Sequence, residues 1–383
     1  MIERFAISAT GNLRFGEGLF TELAALLVDQ EFARVAMVVS TTFSKTEQFL
    51  HCIKVLTSKN VTVTVLPVSG EPSVQSIDST AQAVKEAGCD VVVGIGGGSA
   101  LDTAKAVAVM AKLERKISVK RFLEGVGDLA PPPSRLPLYA IPTTAGTGSE
   151  ATKNAVVSHV GKDGFKKSLR HDAYIPDMVI IDPHLALSVP PSVTAASGLD
   201  ALTQLLEAYT SVKANPFIDA LALPAIGMAG NALPQLLTGQ SDSVALRADM
   251  AYAAYISGIA IANAGLGYVH GFAGPLGALH NVPHGVVCGS LITPINKAML
   301  QQTTPSSLYT EKMMKIAKLW NVDGLDGVVA HLEGLTHVAN LPRLGTYGFT
   351  LSEIVEIGTK DLRRNAPVAL DTKTVTGILQ SLL

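Results

Sequence analysis

The chain has 383 residues, 48% of them apolar and only 16% charged, which excludes a disordered chain. A single hydrophobic core stops growing near ~250–300 residues, so two domains are expected. Lys and Arg number 30 against 32 Asp and Glu, a formal net charge of −2 with no long run of either sign; this leaves no footprint for nucleic acid or an anionic membrane and points to small-molecule partners.

In chain order, the first half alternates strand and helix signals. Residues 34–40 read as a buried strand, 45–58 as a helix, 61–66 as a strand, 73–87 as a helix and 90–95 as a strand. A glycine-rich turn then leads into a helix over 101–112, and further strands are expected at 138–141, 155–158 and 178–181. Such a βαβαβ run implies a parallel sheet with helices on both faces and ligands at the carboxyl ends of the strands. After Pro190-Pro191 the β-branched runs thin out, and Ala/Leu-rich segments predict helices near 192–212, 216–237, 244–264, 307–320, 324–340 and 351–363. The expected domains are therefore 1–190, α/β, and 191–383, all helical.

No Asp, Glu, Lys or Arg lies between Asp249 and Lys297, a stretch long enough for the ~20 residues of a membrane span. Asn263, His270, Pro275, His280, Pro283 and His284 would each be costly in hydrocarbon, so the stretch reads as buried helices around a site. Cys52, Cys89 and Cys288 are too few and scattered for a disulfide framework or zinc ribbon and fit a reducing cytoplasm. The opening Met1-Ile-Glu-Arg-Phe-Ala has two charges ahead of any apolar run, which gives secretion no support.

Four motifs carry chemistry. Gly94-Ile-Gly-Gly-Gly-Ser99 joins a strand to a helix, where Cβ-free backbone and N-terminal amides can receive a pyrophosphate; a tight turn without ligand is the alternative. It follows the third strand, unlike the usual Rossmann fingerprint. Asp102 and Lys105, one turn apart on the new helix, are either a solvated pair or cofactor contacts. Pro142-Thr-Thr-Ala-Gly-Thr-Gly-Ser-Glu150 is rich in hydroxyls and glycine and suits a second wall for ribose and phosphate. In Gly198-Leu-Asp-Ala-Leu-Thr-Gln204, the spacing places Asp200 and Gln204 on one helical face. With His270 and His284 they offer two imidazoles and a carboxylate, the ligands of a catalytic Fe²⁺ or Zn²⁺ site with a position open to substrate oxygen.

Together, in this order and over nearly the whole chain, these motifs and Pro283-His284-Gly285 resemble the iron-containing (group III) alcohol dehydrogenase family. The resemblance implies an N-terminal dinucleotide-binding α/β domain with a parallel sheet plus an all-α C-terminal domain, the architecture shared with dehydroquinate synthases. It also implies a cleft holding NAD(P) and one divalent metal, Fe²⁺ or alternatively Zn²⁺, reversible hydride transfer between an alcohol and an aldehyde or ketone, and a homodimer or larger assembly. By position, Gly96, Gly97, Gly98 and Ser99 bind the pyrophosphate, Asp102 lies near the nicotinamide, Thr143, Thr144 and Thr147 line the cofactor, and Lys166 falls at the nicotinamide ribose. Asp200, His270 and His284 match three of the family's four metal ligands.

The chain also departs from the pattern. Gln204 stands where the family has its fourth metal ligand, a histidine, and offers a neutral amide oxygen instead. Gly274 replaces a second histidine suspected of proton relay, leaving His280 as the candidate substitute, with an ordinary core or surface histidine as the equal alternative. Ser40-Thr41-Thr42 replaces the aspartate of NAD-preferring members, so Thr41 falls at the cofactor ribose and NADP is not excluded. Lys167-Ser-Leu-Arg-His-Asp172 partly resembles maleylacetate reductases, so Arg170 or Lys153 is a candidate partner for an anionic substrate. The readings in competition with a metal-assisted alcohol dehydrogenase are a metal-independent reductase of that type and a non-catalytic dinucleotide-binding protein.

Overall fold

The structure is a computed structural model that describes residues 4–115, 117–162 and 164–383; the Met1-Ile-Glu start of the segment read above for a leader lies outside them. Its α/β half runs β1 (Asn12–Phe15), α1 (Leu23–Asp29), β2 (Arg34–Ser40), α2 (Glu47–Ser58), β3 (Thr62–Val68), α3 (Val74–Glu86), β4 (Val91–Gly96), α4 (Gly98–Lys112), β5 (Leu138–Pro142), β6 (Asn154–His159), β7 (Phe165–Arg170) and β8 (Met178–Ile181). Six strands form one sheet in the order β1-β8-β5-β4-β2-β3, parallel throughout. The apolar run of β2 is buried on both faces, as parallel sheets require. Val35, Met37 and Val39 meet Leu23, Leu27, Phe49 and Leu56 of α1 and α2, whereas Ala36 and Val38 meet Ile77, Val84 and Val107 of α3 and α4.

Helix starts follow local chemistry. Thr46 caps α2 by accepting from the Phe49 amide, and Ser73 with Ser76 forms a capping box at α3. The helical half comprises α5 (Pro191–Thr210), α6 (Pro216–Leu237), α7 (Val244–Ala264), α8 (Tyr268–His280), α9 (His284–Gln302), α10 (Leu308–Trp320), α11 (Gly324–Ala339), α12 (Leu351–Gly358) and α13 (Thr372–Ser381). Pro191 sits at the first position of α5, where its missing amide proton removes no helical bond. By length and composition α6 and α7 could cross a membrane, but about half of each (50% and 56%) is buried inside the protein, with Ala222, Ile226, Ala253 and Ile256 in one core.

Three differences from the sequence reading have physical causes. The strand expected at 155–158 forms, but as part of β6 in an antiparallel hairpin with β7 outside the parallel sheet; β7 went unread because Phe-Lys-Lys-Ser-Leu-Arg buries only Leu169. β1 was unread because all four residues are exposed and it is held at the sheet edge by pairing with β8. The helix expected over 351–363 ends at Gly358, since the next segment turns to press the Leu362 carbonyl on Gly271 and bond the Asn365 amide to Leu266.

The carboxyl ends of the sheet face the helices. A Cβ at Gly146 would stand 2.7 Å from Ser197 of α5, and one at Gly148, whose φ is +60°, 2.5 Å from the Gly258 backbone of α7. The hairpin reaches α8, where Lys166 Nζ would lie 2.8 Å from a Cβ at Gly277. The line between the halves is thus a seam of close backbone approaches.

Candidate active site

Asp200 lies in the middle of α5, His270 in the first turn of α8, His284 at the start of α9 and Cys288 one turn later. Asp200 Oδ1 is 3.2 Å from His270 Nε2 and 3.6 Å from His284 Nε2, and Cys288 Sγ is 3.6 Å from His270 Nε2. The four donor atoms all fall within 4.8 Å of one another. Donors held ~2.0–2.3 Å from one tetrahedral centre stand about 3.3–3.6 Å apart, so the closest of these separations fit one divalent cation.

The electrostatics of the four groups are tightly coupled and pull in different directions. Burial, opposed by Asp200, lowers His284 to about 4, so its imidazole is neutral and able to ligate near pH 7. His270 goes the other way: burial pulls it down, but Cys288, Asp200 and Glu207 outweigh that and hold it well above its ordinary value. Asp200 is held below the ordinary carboxylate range, the two histidines overcoming its desolvation. Burial pushes the Cys288 thiol up to about 12.

Glu207, two turns after Asp200 on α5, carries no role in the sequence reading. Its Oε2 is 2.7 Å from His270 Nδ1, and the carboxylate also accepts from the backbone amides of Val269 and His270 at 2.7 and 3.4 Å. This grip places the Nδ1 proton on the Glu207 side and leaves Nε2 to face Asp200. Replacing Glu207 with Gln is expected to weaken divalent-metal affinity by roughly 10–100-fold, measured by equilibrium dialysis; unchanged affinity would contradict an orienting role.

Gln204 shares the buried face of α5 with Asp200, as its spacing predicts, and its Oε1 accepts from Ser257 Oγ at 2.6 Å. At Gly274 a side chain would meet no atom within 4 Å, so the position of the missing family histidine is open space.

The glycine turn lies at the end of β4 with α4 starting at Gly98, and Gly97 caps that helix without a side chain. Cβ atoms at Gly97 and Gly98 would stand 3.1 Å from Thr144 Oγ1 and 2.6 Å from Thr147, so the threonine loop walls a floor of bare backbone that ends beside Ser99. Thr143 anchors this loop through its amide to the Gly96 carbonyl at 3.0 Å. At the end of β2, Thr41 gives its hydroxyl to Val68 O at 3.1 Å.

Asp102 is committed to the protein. Its Oδ1 accepts from Ser149 Oγ at 2.5 Å and Oδ2 from the Val156 amide at 3.0 Å, with Lys105 Nζ 3.8 Å away. Lys105, fully buried rather than solvated, donates to Ser149, Thr152 and the Asn154 carbonyl, each at 2.9 Å. The pair thereby ties α4 to the threonine loop and the hairpin.

Burial lowers Lys105 to about 8 and raises the neighbouring Glu150 carboxyl to about 7. A carboxyl raised in the folded state gives stability that is complete below its unfolded value near 4.5 and is lost as pH rises through about 7. Glu150→Gln is therefore expected to gain about 3 kcal/mol on the parent protein between those two pH values, read from urea unfolding. A difference flat in pH would contradict this.

The structure does not bring all the expected residues to the cluster. His280 is turned to α12, with Nε2 3.1 Å from Glu353 Oε2 and its ring edge-on to Phe349 at 4.4 Å. Lys153 pairs with Asp172 at 2.7 Å and Arg170 with Glu124 at 3.2 Å, both pairs on the exposed hairpin side. The lysine whose charge reaches His284 is Lys166, half-buried and held by Glu71 at 2.5 Å. The residues missed in sequence, Glu207 and Cys288, both sit at helical spacing from a recognised ligand, Glu207 seven positions after Asp200 and Cys288 four after His284.

A parallel-sheet domain with a bare-backbone turn at a strand end, facing a helical domain with a cluster of candidate metal donors, suits the class of enzymes that use a dinucleotide and a metal. Residues 10–183 match the family model described as iron-containing alcohol dehydrogenase, and residues 194–383 match the C-terminal model of the Fe-containing alcohol dehydrogenase family. The chain belongs to the iron-containing alcohol dehydrogenase family. It is 39% identical over 265 residues to a probable alcohol dehydrogenase, EutG, of Salmonella typhimurium, covering 67% of this chain and 65% of that protein. It is 35% identical to alcohol dehydrogenase 4 of Saccharomyces cerevisiae over 75% of this chain and 74% of the yeast protein. The match thus spans a little under two thirds of the EutG protein's length. Among solved structures, a 1,3-propanediol oxidoreductase superposes with a TM-score of 0.86 at 26% identity over the whole of both chains. A sulfoacetaldehyde reductase of Bifidobacterium kashiwanohense in complex with NAD⁺ does so with a TM-score of 0.86 at 25% identity, over 100% of this chain and 99% of that one.

Proposed function

We propose that the chain interconverts a small alcohol and its aldehyde or ketone, with NAD in the cleft between residues 1–190 and 191–383 and one divalent metal held by Asp200, His270 and His284. The observation that carries this reading is the spacing of those three donors, 3.2 and 3.6 Å around Asp200 Oδ1. When bound, Fe²⁺ or Zn²⁺ supplies Lewis-acid polarisation of the substrate oxygen while nicotinamide C4 exchanges the hydride. The alcohol dehydrogenase names of the curated relatives support this over the maleylacetate-type and non-catalytic readings.

The chain's own groups do the positioning. Gly96, Gly97, Gly98 and Ser99 offer amides at the start of α4 to the pyrophosphate, and Thr144 and Thr147 close over it. Thr143 and Asp102 hold that loop and the hairpin in place, and Lys166, whose charge acts on His284, is the candidate partner of the nicotinamide ribose. Gln204 adds an amide oxygen beside Asp200. With His280 committed to Glu353, protons pass through water at the open edge of His284, whose side chain is 34% exposed.

Lys153 and Arg170 are neutralised by Asp172 and Glu124, which supports an uncharged substrate over an anionic one. No carboxylate ends β2 to repel a 2′-phosphate, so NADPH is expected to serve beside NADH. Three free, buried thiols fit a reducing cytoplasm. The test is oxidation of each reduced nucleotide against short neutral aldehydes and against carboxylated and sulfonated ones. Turnover of neutral aldehydes supports the reading; no hydride transfer to any carbonyl would overturn it.

A further inference from the structure

We infer that Cys288 is itself a metal ligand, so that the centre is Asp200, His270, His284 and a thiolate, to which a substrate oxygen would add as a fifth ligand, a donor set that selects zinc over iron. This rests on the reading that the cluster holds a metal. Cys288 lies one turn after His284 on α9, fully buried, with Sγ 3.6 Å from His270 Nε2. Sulfur ~2.3 Å and nitrogen ~2.0 Å from one tetrahedral ion stand about 3.5 Å apart, which is the separation observed.

The three thiols differ in their surroundings. Cys52 is packed among Phe49, Leu56 and other apolar side chains, and Cys89 has the Thr64 hydroxyl at 3.8 Å with the charges of Asp90 and Arg34 nearby, whereas Cys288 faces an imidazole and a carboxylate that belong to one four-donor cluster. A buried thiol filling space has no need of those neighbours. The position four residues after Asp200, meanwhile, holds Gln204, whose neutral oxygen already accepts a hydrogen bond from Ser257 and is the weaker donor for a cation. The sulfur supplies what that exchange removes.

Charge favours the same set. Metal binding breaks the S–H bond, forms a sulfur–metal bond and releases the proton to solvent, so one carboxylate and one thiolate balance a divalent ion. Thiolate is a soft ligand and matches Zn²⁺ better than Fe²⁺.

The experiment is optical titration of the metal-free protein with Co²⁺. The proposal expects a sulfur-to-cobalt charge-transfer band in the near ultraviolet together with visible d–d bands. In Cys288→Ser the first is lost while the second remains, and Zn²⁺ affinity falls by roughly tenfold or more. Visible bands without the sulfur band in the unsubstituted protein, or a sulfur band that survives in Cys288→Ser, would overturn the proposal and leave the metal site standing. Absence of any Co²⁺ binding would overturn both.

Discussion

Replacing His270 with Ala is expected to remove the bound metal and lower turnover by at least ~10³-fold, about 4 kcal/mol of lost barrier reduction. His270 is the hinge of the donor set, since its Nε2 faces Asp200 at 3.2 Å and Cys288 at 3.6 Å while Nδ1 is fixed by Glu207. Without it the cluster keeps a single imidazole and loses the donor that links Asp200 to Cys288, so a borderline ion is bound weakly. The fold should survive, because Glu207 still accepts from the backbone amides at 269 and 270. Elemental analysis and steady-state kinetics on one preparation check this, and an unchanged turnover number would contradict the assignment.

Gly148→Ala is expected to lower the unfolding free energy by about 3 kcal/mol, combining a residue held in the left-handed region with overpacking against rigid backbone. The φ of +60° disfavours any Cβ, and that Cβ would stand 2.5 Å from Gly258 N and 2.6 Å from the Ala254 carbonyl of α7. Neither atom can move without bending the helix. Since Gly148 pins the threonine loop against the helical domain, dinucleotide affinity should fall with stability. Urea unfolding and nucleotide titration measure the two; a loss under ~0.5 kcal/mol would show that the seam is looser than these distances imply.

The parts of this molecule visible in the sequence were those with strong local signals. The buried runs at 34–40 and 90–95 and the Ala/Leu helices needed only periodicity, and Asp200, His270 and His284 stood out against uncharged surroundings. What was hidden depends on contacts distant in the chain. Glu207 looked like a routine acidic residue until α8 placed His270 against it, and Cys288 looked incidental until α9 packed beside α5. Arg170, Lys153 and His280 show the reverse. Each had the chemistry a site wants, yet Glu124, Asp172 and Glu353, none of them near in sequence, occupy it.

The most direct test of the central claim, a metal held by Asp200, His270 and His284 at the heart of catalysis, is metal stoichiometry of the purified protein followed through chelation and restoration. The account predicts one iron or zinc per chain, loss of aldehyde reduction in step with its removal, and recovery when the ion is returned. Full turnover by protein shown to be free of metal would contradict it.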